Sequence, residues 1–336
     1  MRIAVTGSIA TDHLMVFPGR FADQLIPDQL AHVSLSFLVD GLEVRRGGVA
    51  ANVAFGLGSL GLTPLLVGAV GGDFAEYEVW LKEHGVDTGP VLVSTERQTA
   101  RFMCITDQDA NQIASFYAGA MQEARDIDLW HLTTTGARPD LVLVCPNDPA
   151  AMLRHTAECR ELGLPFAADP SQQLARLEGS EVRDLVDGAR WLFTNEYEAA
   201  LLLERTGWEH ADVLAKVGAW ITTLGGAGVR IDRAGHEPLT VPAVPDAPAT
   251  DPTGVGDAFR AGFLAGTARG LDLTGAARGL DLTGAARLGC VLAAEALGAV
   301  GSQSYHADPA RLLATAERAY GSAAARLLAS GLGEQP

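Results

Sequence analysis

Asp251-Pro252-Thr253-Gly254-Val255-Gly256-Asp257 runs straight into Ala258-Phe259-Arg260-Ala261-Gly262-Phe263-Leu264-Ala265. A polar, glycine-rich turn opens an apolar helix whose first turn carries a carboxylate. The first N–H groups of a helix have no intrahelical acceptor, and they give its start a partial positive charge. Anions collect at such a start. Gly254 and Gly256 let the backbone approach an anion with no Cβ in the way. Asp257 is the odd member, because a carboxylate repels a phosphate held there. One reading makes it a complement to the helix dipole, worth about 0.3–1 kcal/mol. The other makes it a general base beside a phosphoryl group in transit to an alcohol. The two glycines, and the motifs described below, favour the second.

Around this stretch, strands and helices alternate. Thr63–Val70, Leu141–Cys145, Phe166–Asp169, Trp191–Thr194 and Trp220–Thr223 read as strands, and Ala75–Glu83, Pro149–Leu162 and Glu196–Leu203 as helices. The rhythm predicts an α/β fold, a central, mostly parallel sheet with helices on both faces. Segments at about 9–17 and 33–46 have no crossover helix between them, and Val33–Val39 alternates with a strand period of two. Gln98–Thr106 and Gln112–Ala118 read as a hairpin, completing a third lid segment at about 98–118. These strands do not fit a doubly wound sheet. They predict a small β-sheet lid over one end of a single domain spanning 1–328, with 329–336 as a short tail.

The 336 residues are 48% hydrophobic and carry a formal charge of −16. That charge argues against a nucleic-acid partner and against an anionic membrane surface. Any anionic ligand must then be captured by local dipoles. No apolar run approaches the roughly 20 residues that span a bilayer, and the start has no signal-peptide pattern. Cys104, Cys145, Cys159 and Cys290 are scattered, which fits reduced thiols and a cytoplasmic location. There is no G-x-x-x-x-G-K-[ST] P-loop, no opening G-x-G-x-x-G, no H-E-x-x-H and no G-x-S-x-G, so four common enzyme classes lose their signature.

Other residues gather meaning from company. Asn195 and Glu198 sit where a strand meets a helix, spaced as a capping box. The same carboxylate, at a strand's C-terminal end, suits a hydrated Mg²⁺, and the two readings are compatible. Thr222-Thr223-Leu224-Gly225-Gly226-Ala227-Gly228 is a glycine turn that serves either a hairpin or a phosphate. Phe102 and Phe116 fall on the two arms of the hairpin, as a packed pair or as rings that stack on a planar base. Asp12, Gly48 and Asn52 offer polar groups suited to sugar hydroxyls. Ala268–Ala276 is repeated without change as 277–285 and reads as a duplicated surface connection between helices.

Together these motifs resemble the ribokinase-like (PfkB) carbohydrate and nucleoside kinases from Met1 to about Leu328. Gly47-Gly48-x-x-x-Asn52 is similar to the family's N-terminal signature, and Asp251–Asp257 to its C-terminal one, with Val255 where alanine is commoner. Asn195-x-x-Glu198 resembles the family's magnesium and phosphate motif. The segments Ala4–Leu14, Gln112–Tyr117 and Asp169–Arg176 resemble the bacterial adenosine kinases of this type. The resemblance implies ATP-dependent phosphorylation of the adenosine 5′-hydroxyl to AMP, a step of purine salvage. A ribokinase or other sugar kinase is the alternative, and a nucleoside-binding protein without catalysis a third. It implies Asp257 as the base, with Gly254, Val255 and Gly256 stabilising the transferring group. Asp12, Gly48 and Asn52 would bind ribose, with Ser8 and Ser36 nearby. Phe102 and Phe116 would sandwich adenine, and Gln172 and Gln173 would line the nucleoside pocket. Asn195, Thr223, Gly225, Gly228 and Gly256 would meet ATP. Glu198 would hold Mg²⁺ through water, and a K⁺ ion would order the loop at Asp251 and Thr253. Exposed edges of the lid strands point to a homodimer joined through the lids.

Overall fold

The computed structural model describes residues 1–25, 34–134, 136, 138–270 and 281–332. Its strands are β1 (Ile3–Thr6), β2 (Ala10–Val16), β3 (Gly41–Gly47), β4 (Leu65–Val67), β5 (Ala69–Val70), β6 (Leu92–Val93), β7 (Ala100–Thr106), β8 (Gln112–Tyr117), β9 (Leu141–Val144), β10 (Phe166–Ala168), β11 (Trp191–Asn195), β12 (Ala219–Thr223), β13 (Val229–Asp232) and β14 (Leu239–Val241). β1, β4, β9 and β10 are buried along their whole length, as expected of parallel strands covered on both faces.

Eight strands form the main sheet in the order β14-β13-β12-β11-β10-β9-β1-β4. It is parallel from β4 to β12 and antiparallel at β13 and β14. One face is covered by the helices Val49–Ser59, Val255–Gly270 and Leu282–Leu297, around Phe55, Phe263 and Leu292. The other is covered by Pro149–Glu161, Gly179–Val186 and Glu196–Thr206, around Met152, Leu185 and Leu202. The chain leaves β1 for β4 on one side and later returns to place β9 on the other. That reversal opens a crevice at the C-terminal ends of β1 and β9, where open α/β sheets hold their ligands.

The lid grows from this point. Three residues after β1 the chain enters β2, the centre of a separate sheet ordered β3-β2-β7-β8. β2 runs antiparallel to β3 and parallel to β7, and β7 and β8 form the expected hairpin. β3 then delivers the chain to the helix Val49–Ser59, which tethers the lid to the core.

Two strand assignments need correction. Residues 34–40 form no strand; the lid strand is Gly41–Gly47, and Val33 lies outside the described residues. Phe37 turns onto Phe17 and Phe21, each 5.0 Å away between ring centroids, so local aromatic packing overrides the period of two. The run Thr63–Val70 splits at Gly68, where a Cβ would lie 2.7 Å from the Gly7 carbonyl oxygen. Leu65–Val67 joins the main sheet, and Ala69–Val70 pairs with β6. The tandem repeat falls largely outside the described residues. Its two ends close the helix Val255–Gly270 and open the helix Leu282–Leu297. Among the described residues no helix is long and apolar enough to cross a membrane.

Candidate active site

Asp257 lies in the first turn of the helix Val255–Gly270, as its sequence context predicts. The turn before it depends on Gly254. That residue has φ +76°, and a Cβ there would sit 2.5 Å from the Ser302 Cβ. Asp257 Oδ2 accepts a hydrogen bond from Asn52 Nδ2 at 2.8 Å. Burial raises the Asp257 carboxyl above its ordinary value, against the lowering effects of Arg260 and of the Asn52 hydrogen bond; Glu198 adds to the rise. The carboxylate is therefore more basic than a surface aspartate.

Arg260, one turn along the same helix, was hidden inside an apolar run. It is buried and donates to Asp169 Oδ1 at 2.7 Å. Asp169 follows β10 and is 0% exposed. Burial pushes it up to about 7, against the attraction of Arg260. A lone arginine three residues from an aspartate on an apolar helix was the available signal, since i and i+3 share a face. Within this pair the Arg260 guanidinium is the positive charge that acts on Asp257, and the Asp169 carboxyl offsets part of it.

Asp12 sits at the middle of β2 and is pushed up to about 6 by burial, with Arg45 opposing and the Asp257 charge adding to the rise. The lid register places Arg45, Asp12, Phe102 and Phe116 directly opposite one another on successive strands. Cross-strand partners share a face, so the two rings and the carboxylate form one row, and Arg45 turns that row toward the helix start. Its guanidinium donates to Asp251 Oδ2 at 3.0 Å. Phe116 is 48% exposed, and Phe102 is partly buried.

Ser8 accepts from the Val49 N–H at 3.0 Å and so anchors the start of the helix Val49–Ser59. Gly48 takes φ +93°, and a Cβ there would lie 2.6 Å from the Ser8 carbonyl oxygen, which explains why glycine stands at this junction. Asn195 and Glu198 complete both arms of the capping box, each at 2.8 Å, and Glu198 Oε1 also accepts from Ser171 Oγ at 3.2 Å. Thr223 ends β12. Gly225 borders open space in the following turn, and Gly228 lets that turn pass the Val241 carbonyl. The glycine stretch is thus a hairpin connection that still presents an open turn at the sheet's ligand-binding end. Gln173 is buried below the crevice and donates to the Asn147 carbonyl at 2.8 Å. Gln172 and Ser36 are exposed, and among the described residues neither is hydrogen-bonded to Asp12, Asn52 or Asp257. Among the described residues, no three His, Cys, Asp or Glu side chains cluster as a metal site.

The Asn52–Asp257 hydrogen bond joins the two signature stretches of the sequence. The model of the pfkB family carbohydrate kinases matches residues 9–308. The chain belongs to this family. It is an ATP-dependent phosphotransferase with the ribokinase-like fold. A nucleoside kinase of Methanothermobacter thermautotrophicus is 32% identical over 249 residues, 73% of this chain and 79% of that protein. A cytidine kinase of Thermococcus kodakarensis is 27% identical over 73% of this chain and 89% of its own length. The solved nucleoside kinase of Burkholderia thailandensis in complex with inosine is 32% identical with a TM-score of 0.79, covering 95% of this chain and 98% of that one. The same protein has also been solved with ADP-inosine.

Proposed function

We propose that this kinase transfers the γ-phosphoryl group of ATP to the 5′-hydroxyl of adenosine, giving AMP and ADP in purine salvage. The observation that carries the reading is the lid row. It puts Asp12, an acceptor for sugar hydroxyls, next to Phe102 and Phe116, two rings suited to a planar base. A bare sugar has no use for those rings. The inosine complex of the Burkholderia relative supports a purine nucleoside as the acceptor class.

Asp257, kept basic by burial, takes the hydroxyl proton as that oxygen attacks phosphorus, a contribution of about 10²–10⁴-fold. The N–H groups at Gly254, Val255 and Gly256, with the helix dipole, receive charge on the transferring group. Closure of the lid excludes water that would otherwise accept the phosphoryl group. Asn195, Thr223, Gly225 and Gly228 border the ATP side. Each Glu198 oxygen keeps a lone pair beyond its hydrogen bond, so Glu198 fits a water-bridged Mg²⁺, which would neutralise phosphate charge. Asp251 is less suited to K⁺: its carboxylate already accepts from Arg45, from the Gly301 N–H and from the Thr253 N–H, so Arg45 supplies the positive charge there.

The outer lid face carries a row of Leu42, Met15, Ile105 and Ile113, with Leu42 63% and Ile113 46% exposed. That apolar row and the open edges of β3 and β8 support a homodimer joined through the lids, in a cytoplasmic protein. A coupled ADP-release assay with adenosine, inosine, cytidine, ribose and fructose tests the substrate assignment. Adenosine should give the highest kcat/KM, and a preference for ribose would overturn the reading.

A further inference from the structure

Asn52 can serve Asp257 only if its amide points the right way. A flipped amide would turn Oδ1 against the carboxylate and repel it. The side-chain amides of Asn and Gln are symmetric in shape, so the choice must come from neighbours whose hydrogen-bonding role is unambiguous. The structure contains such a neighbour two residues removed from the base.

The indole N–H of Trp80 donates to Gln303 Oε1 at 3.1 Å. An indole nitrogen is donor only, so the Gln303 oxygen must face it. Gln303 Nε2 then points the other way, to Asn52 Oδ1 at 2.9 Å and to the Tyr77 hydroxyl. The Tyr77 hydroxyl, which donates to the Gly47 carbonyl at 3.0 Å, can accept from Gln303 in this orientation. The indole alone sets the direction of the Gln303 amide, because a hydroxyl can donate or accept. Asn52 Oδ1 faces Gln303 and also lies 2.9 Å from Ser302 Oγ, which leaves Nδ2 for Asp257. Asn52, Tyr77, Ser302 and Gln303 are all buried, so water does not scramble the chain. Trp80 itself is clamped, with Arg46 4.4 Å over its ring and His84 4.2 Å away.

We propose that Trp80 and Gln303 are positioning residues, setting the polarity of an amide relay that makes Asn52 donate to Asp257. The inference rests on the assignment of Asp257 as base. Other charges face Asp257 as well. Arg260 opposes its protonation, and Glu198 favours it. Asp12 and Asp169 lie close enough to feel its charge, as do the buried Tyr77, Tyr305 and Cys145. The variants for the test must therefore be neutral.

Trp80→Phe keeps a ring in place and removes only the donor. Gln303→Met removes the amide at similar length. In each, the acid limb of the kcat/KM profile for adenosine should move to higher pH by about one unit, the tenfold change in ionisation that a weakened charge-assisted bond supplies. The rate should recover on the alkaline side of the shifted limb with KM little changed. In the unmodified protein, the Asn52 side-chain amide followed by NMR should titrate with Asp257, a signal that vanishes in Asp257→Asn and needs no turnover. An unmoved acid limb, or a rate lowered equally at every pH, overturns the relay. An Asn52 amide that ignores Asp257 overturns it without any folding argument. A relay that passes the NMR test in a protein with no kinase activity would sink the proposed function alone.

Discussion

Asp257→Asn separates catalysis from folding. The substitution preserves shape, and the asparagine oxygen can still accept from Asn52 at the 2.8 Å seen for the carboxylate. What it removes is the site that takes the acceptor's proton. General-base catalysis contributes about 10²–10⁴-fold, so kcat should fall at least about 100-fold, or about 2.7 kcal/mol in barrier. Adenosine affinity, measured by calorimetry, should change little. Stability should move the other way. Burial raises the folded-state pKa of Asp257 above 3.8. A raised carboxyl contributes stability below its unfolded pKa and loses it as pH rises through the folded value. The charged carboxylate therefore works against folding at neutral pH, and the variant should be as stable as the parent or more so at pH 8. Any gain should fade as pH falls toward 4. Urea denaturation at both pH values, beside a coupled ADP-release assay, reads both arms. Near-normal turnover would remove Asp257 from the base role. Lower stability at pH 8 would refute the burial argument.

Phe102→Ala should weaken adenosine by about 1–3 kcal/mol, the worth of one stacked ring, and leave any ribose phosphorylation unchanged; equal losses on both acceptors in steady-state kinetics would refute base stacking. Arg260→Met removes the partner that holds the Asp169 carboxyl down to about 7, so that carboxyl should rise further and stay protonated, and urea denaturation should show a stability loss that grows as pH rises above about 7. Adding Asp169→Leu should restore most of that loss, because no buried carboxyl is left to protonate. Gly48→Ala forces a Cβ into the Ser8 carbonyl at an unfavourable φ and should cost at least about 2 kcal/mol, read as a lower denaturation midpoint.

The sequence by itself determined the alternation of strand and helix, the lid hairpin and the helix start at Asp257. Each rests on local rules: period, glycine position, and the free N–H groups of a first turn. The capping box of Asn195 and Glu198 was legible for the same reason. Local rules failed at residues 34–40, where Phe37 found aromatic partners more rewarding than a strand neighbour. They left the strand after the Thr222–Gly228 turn as one of two readings and were silent on β14, which is short and takes its place from β13. Only the tertiary structure decided which distant groups meet. It brought Asn52 to Asp257 across 205 positions and Gln303 to Asn52 across 251. It also seated Arg260 on Asp169 beneath the base. Side-chain burial and the direction of an amide follow from packing between elements, which no spacing along the chain records.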